Sequence, residues 1–395
     1  MKENILKNFN TYQAKTTPNP LRIVVKKATG SYITDYNNKN YLDFIAGISA
    51  CPLGHRHPKV IEAIKDQIKK YLHVMVYGEF ALKTTSDLAK EVINLLPKNH
   101  ESIYFTNSGT EAIEGAIKLV KRATKKSKII AANNSYHGST YGALSLLGNK
   151  KQKMGYYPMM PNIRFINFNS CSDINKIDKQ TAGVILETIQ GGAGFIIPKT
   201  GYLKKIKERC EKVGALLILD EIQSGFGRTG NFFAFEKYNI SPDILVMGKG
   251  MGGGLPIGAF TSSKKYMKLF EKNPRLGHIT TFGGNPLIAA SALATIREIR
   301  DANILNKISD KENLFRKYLI HNKIKRINGK GLMLALIFES KEIADKLIKE
   351  CIKEGLLLFW LLWEKKAVRI SPPLNIKKKE IKIGCAIIIK VLNRI

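Results

Sequence analysis

The middle of the chain alternates short apolar runs with amphipathic segments, and this alternation constrains the fold more than any other feature. Runs such as GVILE and LLILD are apolar throughout, as expected for strands that are covered on both faces. Seven runs are predicted to be strands: Ile103–Thr106, Ile129–Ala132, Ile163–Ile166, Gly183–Glu187, Leu216–Asp220, Asp243–Met247 and Ala259–Ser262. In Glu111–Ala123 and Tyr202–Val213 the apolar residues recur at helical spacing. The pattern predicts an α/β fold around a mainly parallel seven-stranded sheet.

The two ends of the chain have a different pattern. Residues 22–28 and 31–37 are predicted to form two strands joined by a turn at Gly30. From about Pro286 a long helical region leads to two more strands and a last helix. These ends are expected to build a smaller α+β unit beside the large sheet.

The chain has 395 residues, which is too long for one compact core. We predict that residues 1–54 form an N-terminal arm and part of the small domain. Residues 55–290 are predicted to form the large domain, and residues 291–395 the C-terminal small domain.

The net charge of +32 raises the alternative of a nucleic-acid-binding protein. The excess is mostly lysine and is spread along the whole sequence, without a basic cluster interleaved with aromatic residues. Lysine, isoleucine and asparagine are all abundant and all have AT-rich codons, so mutational bias explains the charge better. We therefore expect no nucleic-acid partner.

Membrane insertion and metal binding are also not expected from the sequence. No apolar stretch is long enough to span a bilayer, and the first residues contain no apolar run of signal-peptide length. The five cysteines are widely spaced, with no C-x-x-C pair and no His cluster, which favours reduced thiols over disulfides or zinc. We predict a cytoplasmic protein.

The segment FTNSGTEAIEGAIK, residues 105–118, predicts a strand, a turn and a helix start. Free backbone N–H groups and the positive end of a helix form a natural phosphate cradle, which the hydroxyls of Ser108 and Thr110 would assist. The alternative is an ordinary helix that Ser108 or Thr110 caps. The segment alone favours that alternative.

Two acids lie at the end of the predicted strand LLILD: Asp220 is its last residue and Glu221 follows it. Buried charge is costly, and the carboxyl end of a strand is where α/β sheets bind ligands. The alternatives are a cap or an ion pair with Arg228. A metal site is disfavoured because no His or third acid lies at suitable spacing.

Lys249 follows another apolar strand and precedes the glycine-rich turn GMGGG. A lysine in such a place is a candidate for covalent bonding to a carbonyl compound, because burial and nearby cations would lower the pKa of its amine. The alternative is a surface lysine with its apolar stem packed and its amine in water. Further on, the loop GHITTFGGNP at 277–286 offers paired threonines for an anion.

The order of these four segments resembles the class III, or ornithine-type, aminotransferases of fold type I. The resemblance extends from about Thr16 to Pro373, and it includes YLDFIAGISACPLGHRHPKV at 41–60 and the block from Asp220 to Gly258. It implies a pyridoxal 5'-phosphate enzyme whose large domain binds the cofactor. It also implies a homodimer with shared active sites.

The resemblance implies a role for each site residue. Lys249 is expected to carry the cofactor as a Schiff base and then to move a proton, while Asp220 keeps the pyridine nitrogen protonated. The remaining expected cofactor contacts are Gln223 at the ring hydroxyl, Tyr136 on the ring face, Ser108, Gly109 and Thr110 at the phosphate, Thr281 from the partner subunit, and Glu221 and Ile222 beside Asp220. His137 and Glu187 are expected to support these residues from behind.

Arg369 is expected to bind a substrate carboxylate through its two-pronged guanidinium, and Thr280 to touch substrate. An amino donor and a 2-oxo acid, 2-oxoglutarate, would then react in alternation. Many relatives have Arg where this chain has Ser139 at the donor end, Glu where it has Gly192, and Asn where it has Ile113. These differences leave the donor open among acetylornithine, which we favour, and ornithine, succinyl-diaminopimelate, 4-aminobutyrate and diaminopelargonate.

Overall fold

The computed structural model describes all 395 residues and contains three sheets. The helices are α1 (Lys2–Tyr12), α2 (Ala46–Ser49), α3 (Pro58–Ile68), α4 (Lys83–Asn94), α5 (Gly109–Thr124), α6 (Tyr141–Ser145), α7 (Tyr202–Val213), α8 (Lys264–Met267), α9 (Pro286–Asp301), α10 (Ile308–Tyr318), α11 (Lys341–Lys353) and α12 (Lys378–Arg394). The strands are β1 (Val25–Thr29), β2 (Tyr32–Asp35), β3 (Asn40–Asp43), β4 (Ser102–Thr106), β5 (Lys128–Ala132), β6 (Ile163–Ile166), β7 (Thr181–Glu187), β8 (Leu216–Asp220), β9 (Ile244–Gly248), β10 (Gly258–Ser262), β11 (Arg326–Lys330), β12 (Met333–Ile337), β13 (Leu356–Leu357), β14 (Phe359–Trp360) and β15 (Ala367–Ile370).

The large sheet has seven strands in the order β4-β10-β9-β8-β7-β5-β6. Only β10 runs against its neighbours; the other pairings are parallel. The central strands β7, β8 and β9 are buried along their whole length, because helices cover both faces of the sheet. The predicted fold class is therefore confirmed, and all seven predicted strands are present.

The N-terminal and C-terminal parts of the chain pair with each other. The strands β1, β2 and β3 form an antiparallel meander whose last strand pairs in parallel with β13, through Leu42 and Leu356. A third sheet has the order β11-β12-β15-β14. The pairing of β3 with β13 supports the proposal that the arm and the C-terminal part form one small domain, although its proposed start at residue 291 falls within α9.

The short turn α2, which packs against the turn that follows β9, has unusual backbone geometry. All four residues of α2 have positive φ, including the non-glycine residues Ala46, Ile48 and Ser49 at 48°, 62° and 68°. Such a left-handed turn is costly for residues with a β-carbon. Two bonds to the Asp43 carboxylate, from the backbone N–H groups of Ile45 and Ala46, hold its start in place.

None of the helices is long and apolar enough to cross a membrane.

Candidate active site

A cavity of about 300 Å³ lies at the carboxyl edge of the large sheet. This is the edge where open α/β sheets bind ligands, because the loops that follow parallel strands meet there. Residues after β4, β5, β7, β8 and β9 line it, together with Arg369 of β15. The lining includes these residues predicted from the sequence: Gly109, Thr110, Tyr136, His137, Ser139, Glu187, Asp220, Ile222, Gln223, Lys249 and Arg369.

The start of α5 forms one end of the cavity. Ser108 caps the helix, since its hydroxyl accepts a hydrogen bond from the Glu111 backbone N–H at 3.3 Å. The capping interpretation is therefore correct, and it is compatible with a cradle because Gly109 and Thr110 of the same turn line the cavity. A β-carbon on Gly109 would come within 2.7 Å of Ile222, so only glycine lets this turn approach the loop after β8.

Thr110 is held in place by a polar network that was not predicted from the sequence. Its hydroxyl lies 2.8 Å from the Thr140 hydroxyl, which donates to the Glu114 carboxylate at 2.5 Å. The same carboxylate accepts the backbone N–H of Ala143 at 3.0 Å. Glu114 thus ties α5 to the start of α6. The sequence did contain a signal for this network: Glu114 lies on the inner side of its helix and faces a loop rich in hydroxyl groups.

Asp220 is held rigidly at the end of β8. One carboxylate oxygen accepts the Ile222 backbone N–H at 2.9 Å, and the other lies 2.8 Å from His137 Nδ1. Both Asp220 and His137 are buried. Two partners on a buried carboxylate fix its orientation.

Glu221 lies outside the cavity, contrary to the expectation of a cofactor contact. Its carboxylate accepts hydrogen bonds from the Ser224 hydroxyl and from the backbone N–H groups of Ala234 and Phe235. Burial raises the pKa of Glu221 to about 7, and these donors limit the rise. The side chain is needed to satisfy buried backbone donors, so it points to the opposite side of the strand end from Asp220.

The alternative of an ion pair between this strand end and Arg228 is wrong. Arg228 is buried and donates to two backbone carbonyls, those of Leu332 and Pro372. Burial lowers its pKa to about 9. Arg228 therefore connects the loop after β8 to the C-terminal part of the chain.

Lys249 follows β9 directly and lines the cavity, so the alternative of a surface lysine with its amine in water is wrong. Burial lowers the pKa of its amine, and the nearby Arg369 lowers it further, whereas Asp220 and Glu187 act in the opposite direction. The backbone of Lys249 has φ 44°, which is unusual for a residue with a side chain. A depressed amine pKa supplies the free lone pair that carbonyl chemistry requires.

Glu187 lies in the wall of the cavity and holds two backbone segments of that wall. Its carboxylate accepts the backbone N–H of Tyr136 at 2.9 Å and that of Gly191 at 2.6 Å. Burial raises its pKa to about 7, and Asp220 contributes to the rise. These contacts fix the Glu187 carboxylate against the backbone of the Tyr136 loop, at the wall of the cavity.

Arg369 lies in β15 with its guanidinium carbon 5.7 Å from the centre of the Phe195 ring. Its Nε and Nη1 are buried and have no hydrogen-bond partner, and burial lowers its pKa to about 10. Stacking on a ring holds the guanidinium plane while its edge stays free for an anion.

The two threonines of the 277–286 loop do not line this cavity. Thr280 accepts hydrogen bonds from Asn107 and from the Gly283 backbone N–H. Thr281 is exposed. Within a single chain neither threonine is brought to the cavity, so a role for Thr281 depends on a second chain.

The cavity fits pyridoxal phosphate by the chemistry of its unpaired groups. Gln223 Nε2 and His137 Nε2 are buried and have no hydrogen-bond partners. The start of α5 lies at one end of the cavity, and its first residue, Gly109, has no side chain. The cofactor, when bound, supplies an electron sink that stabilises negative charge on the substrate carbon. Asp220 would face the ring nitrogen, Gly109 and Thr110 the phosphate, and Lys249 would hold and move a proton at its amine nitrogen.

The sheet order, the lysine after β9 and the acid after β8 define a pyridoxal-phosphate-dependent enzyme of fold type I. The family model of class III aminotransferases matches residues 12–392. The chain belongs to the class III aminotransferases and is an aminotransferase that uses pyridoxal 5'-phosphate.

Named relatives and solved structures match between 80% and 100% of the chain. It is 35% identical to acetylornithine aminotransferase of Aquifex aeolicus, over 95% of this chain and 98% of that protein. It is 36% identical to a [LysW]-aminoadipate semialdehyde/glutamate semialdehyde transaminase of Sulfurisphaera tokodaii, over 80% of this chain and 81% of that one. The crystal structure of ornithine aminotransferase from Toxoplasma gondii superposes with a TM-score of 0.92 at 28% identity, covering 100% of this chain and 95% of that one.

Proposed function

We propose that the enzyme transfers the terminal amino group of N-acetylornithine to 2-oxoglutarate, a step of arginine biosynthesis. The observation that carries this proposal is an unpaired, buried Arg369 in the same cavity as Lys249 and Asp220. A guanidinium so placed provides a carboxylate site beside the reacting amine, as a 2-oxo acid requires. The similarity to acetylornithine aminotransferases from several organisms supports the choice of donor.

The proposed roles of the site residues follow from their positions. Lys249 holds the cofactor and moves a proton, and Asp220 faces the ring nitrogen. Tyr136 would cover a face of the ring, and Ile222 lines the same cavity. Ser139, whose hydroxyl lies 3.1 Å from that of Tyr136, leaves the donor end without a cation, so the donor's distal carboxylate must be bound by other groups.

We also propose that the enzyme works as a homodimer in the cytoplasm, with Thr281 completing the partner's phosphate site. Exposure of Thr281 next to the exposed side chain of Phe282 supports a role at a subunit boundary. All five cysteines are unpaired, which suits a reducing compartment.

A single-turnover screen of amines tests the donor. Purified protein loaded with cofactor is mixed with N-acetylornithine, ornithine, succinyl-diaminopimelate or 4-aminobutyrate in turn, and the absorbance of the bound cofactor is followed. We expect N-acetylornithine to give the largest second-order rate constant. Lys249→Ala should bind the cofactor weakly and show no turnover with any amine. A preference for another amine would overturn the donor, and turnover by Lys249→Ala would overturn the role of the lysine.

A further inference from the structure

Arg369 has no acidic partner anywhere in the chain. Its side chain is 4% exposed, and neither a salt bridge nor a side-chain hydrogen bond reaches it. One face of the guanidinium is covered by Phe195. Buried cations are normally paired with an anion because the loss of hydration is otherwise uncompensated.

The cavity wall at Gly192 leaves no room for an acid. A β-carbon there would lie 2.8 Å from Trp363 Nε1 and 3.3 Å from the Leu362 side chain. The carbonyl of Gly192 also accepts the backbone N–H groups of Trp363 and Glu364, at 2.9 Å and 3.3 Å. The indole of Trp363 therefore fills the space that a side chain at position 192 would take.

The consequence differs between the two halves of the reaction. A 2-oxo acid brings a carboxylate beside the reacting carbon, and this carboxylate neutralises Arg369. A donor that reacts through a terminal amine, as in the proposed function on which this step rests, carries two hydrogens and an alkyl chain on that carbon, and no carboxylate. Arg369 would then stay charged, buried and unpaired while the donor reacts.

We propose that Arg369 binds a small monovalent inorganic anion, such as chloride, whenever an amine donor without an adjacent carboxylate occupies the site. The anion takes the place of the carboxylate that the 2-oxo acid supplies in the other half-reaction. Gly192 and Arg369 line the same cavity, and the Trp363 indole fills the space beside Gly192, so no acidic side chain enters the cavity from that position. The anion and the 2-oxo acid thus compete for one guanidinium.

Chloride should therefore have opposite effects on the two half-reactions. Each half-reaction is measured by single turnover of the loaded enzyme, with sodium chloride replaced at constant ionic strength by the sodium salt of a bulky sulfonate buffer. We expect chloride to accelerate the reaction with N-acetylornithine severalfold with saturation, and to inhibit the reaction with 2-oxoglutarate competitively. A general effect of ionic strength would not accelerate one half-reaction and inhibit the other.

A binding measurement checks the same site without turnover. Glutarate carries the two carboxylates of 2-oxoglutarate but cannot react, and its affinity for the loaded enzyme is measured by calorimetry. Chloride should raise the apparent Kd of glutarate linearly from its chloride-free value, as competition for one site requires.

Two variants separate the anion site from other causes. The double variant Gly192→Glu with Trp363→Ala removes the indole and supplies an acid, so chloride should no longer accelerate the donor reaction. The matched control, Trp363→Ala alone, opens the space without adding a charge and should keep the chloride effect. If both variants behave alike, the acid does not replace the anion and the proposal is wrong.

The outcomes also separate this proposal from the assignment of the donor. If N-acetylornithine does not react under any salt condition, the proposed function fails. If it reacts at a rate that chloride leaves unchanged, while glutarate affinity is equally insensitive, the donor stands and the anion site is overturned.

Discussion

Lys249 lies between charges of opposite sign, and its pKa reports their balance. Burial lowers the pKa of the amine, Arg369 lowers it further, and Asp220 raises it. A neutral residue in place of either neighbour should therefore shift the pKa in opposite directions. Arg369→Gln should raise it, so that more alkaline conditions are needed to free the amine, and Asp220→Asn should lower it.

The shift is measured on cofactor-free protein, as the pH dependence of Lys249 modification by a small aldehyde with borohydride, followed by peptide mapping. Lys264, on the surface helix α8, serves as the internal control, and the extent of its modification should be the same in all three proteins. Shifts of the same sign in the two variants would show that burial alone sets the amine pKa.

The shape of the Arg369 side chain matters as much as its charge. Arg369→Lys keeps the cation but loses the planar pair of N–H donors that matches a carboxylate. We expect the KM for 2-oxoglutarate to rise about tenfold, because one charged hydrogen bond to the carboxylate is lost. Cofactor affinity, measured by absorbance titration, should change little. A normal KM would mean that the carboxylate binds elsewhere.

The sequence predicts a site residue best where a strand fixes it. Lys249 and Asp220 each follow a buried apolar run, so their edge of the sheet could be predicted, and the family resemblance supplied their roles. The positions of Trp363 and Glu221 could not be predicted in this way. Trp363 lies against Gly192, which is far from it in the sequence. The Glu221 side chain is oriented by the backbone N–H groups of Ala234 and Phe235, which lie thirteen and fourteen residues further along the chain.

At the scale of elements, the loop after β8 depends on one carboxylate. Glu221 accepts two backbone N–H groups from the short helix at 234–238 and is fully buried. Glu221→Ala should lower the free energy of unfolding by about 3 kcal/mol, because buried donors lose their acceptor. Urea unfolding with saturating cofactor measures this loss.

Glu236 of the same short helix is the matched control. It accepts one backbone N–H, that of Phe233, from a half-buried position. Glu236→Ala should cost about 1 kcal/mol, as loss of a helix cap does. Equal losses in the two variants would show that burial of Glu221 adds nothing to its contribution.

Long elements with a clear periodicity were predicted most accurately. The helix Tyr202–Val213 has the predicted bounds, whereas β7 begins two residues before its predicted start, at Thr181. The two-residue strands β13 and β14 were not predicted, because so short a run has no periodicity and exists only through its partners. The left-handed turn of α2 was also missed, since tertiary contacts impose a conformation that Ala46 and Ile48 disfavour on their own.

At the scale of the molecule, one chain leaves apolar side chains exposed near the 277–286 loop. Leu276, Ile279 and Phe282 are each more than half exposed, and Phe80 is also exposed. Exposed apolar side chains so close together in the sequence are typical of protein interfaces. They support the proposed homodimer, and they lie beside Thr281, the residue proposed to reach across it.

Hybrid dimers test whether the active sites are shared. Lys249→Ala should inactivate its own site, and Thr281→Asp should inactivate the partner's site by placing a negative charge against the phosphate. In a hybrid of the two variants, one site would carry both defects, whereas the other would have an intact Lys249 and an intact Thr281 from the partner. Random pairing makes half of the dimers hybrids, so coexpression should restore about a quarter of wild-type activity per site from two inactive parents. If Thr281 served its own chain, every site in the hybrid would carry a defect and no activity would return.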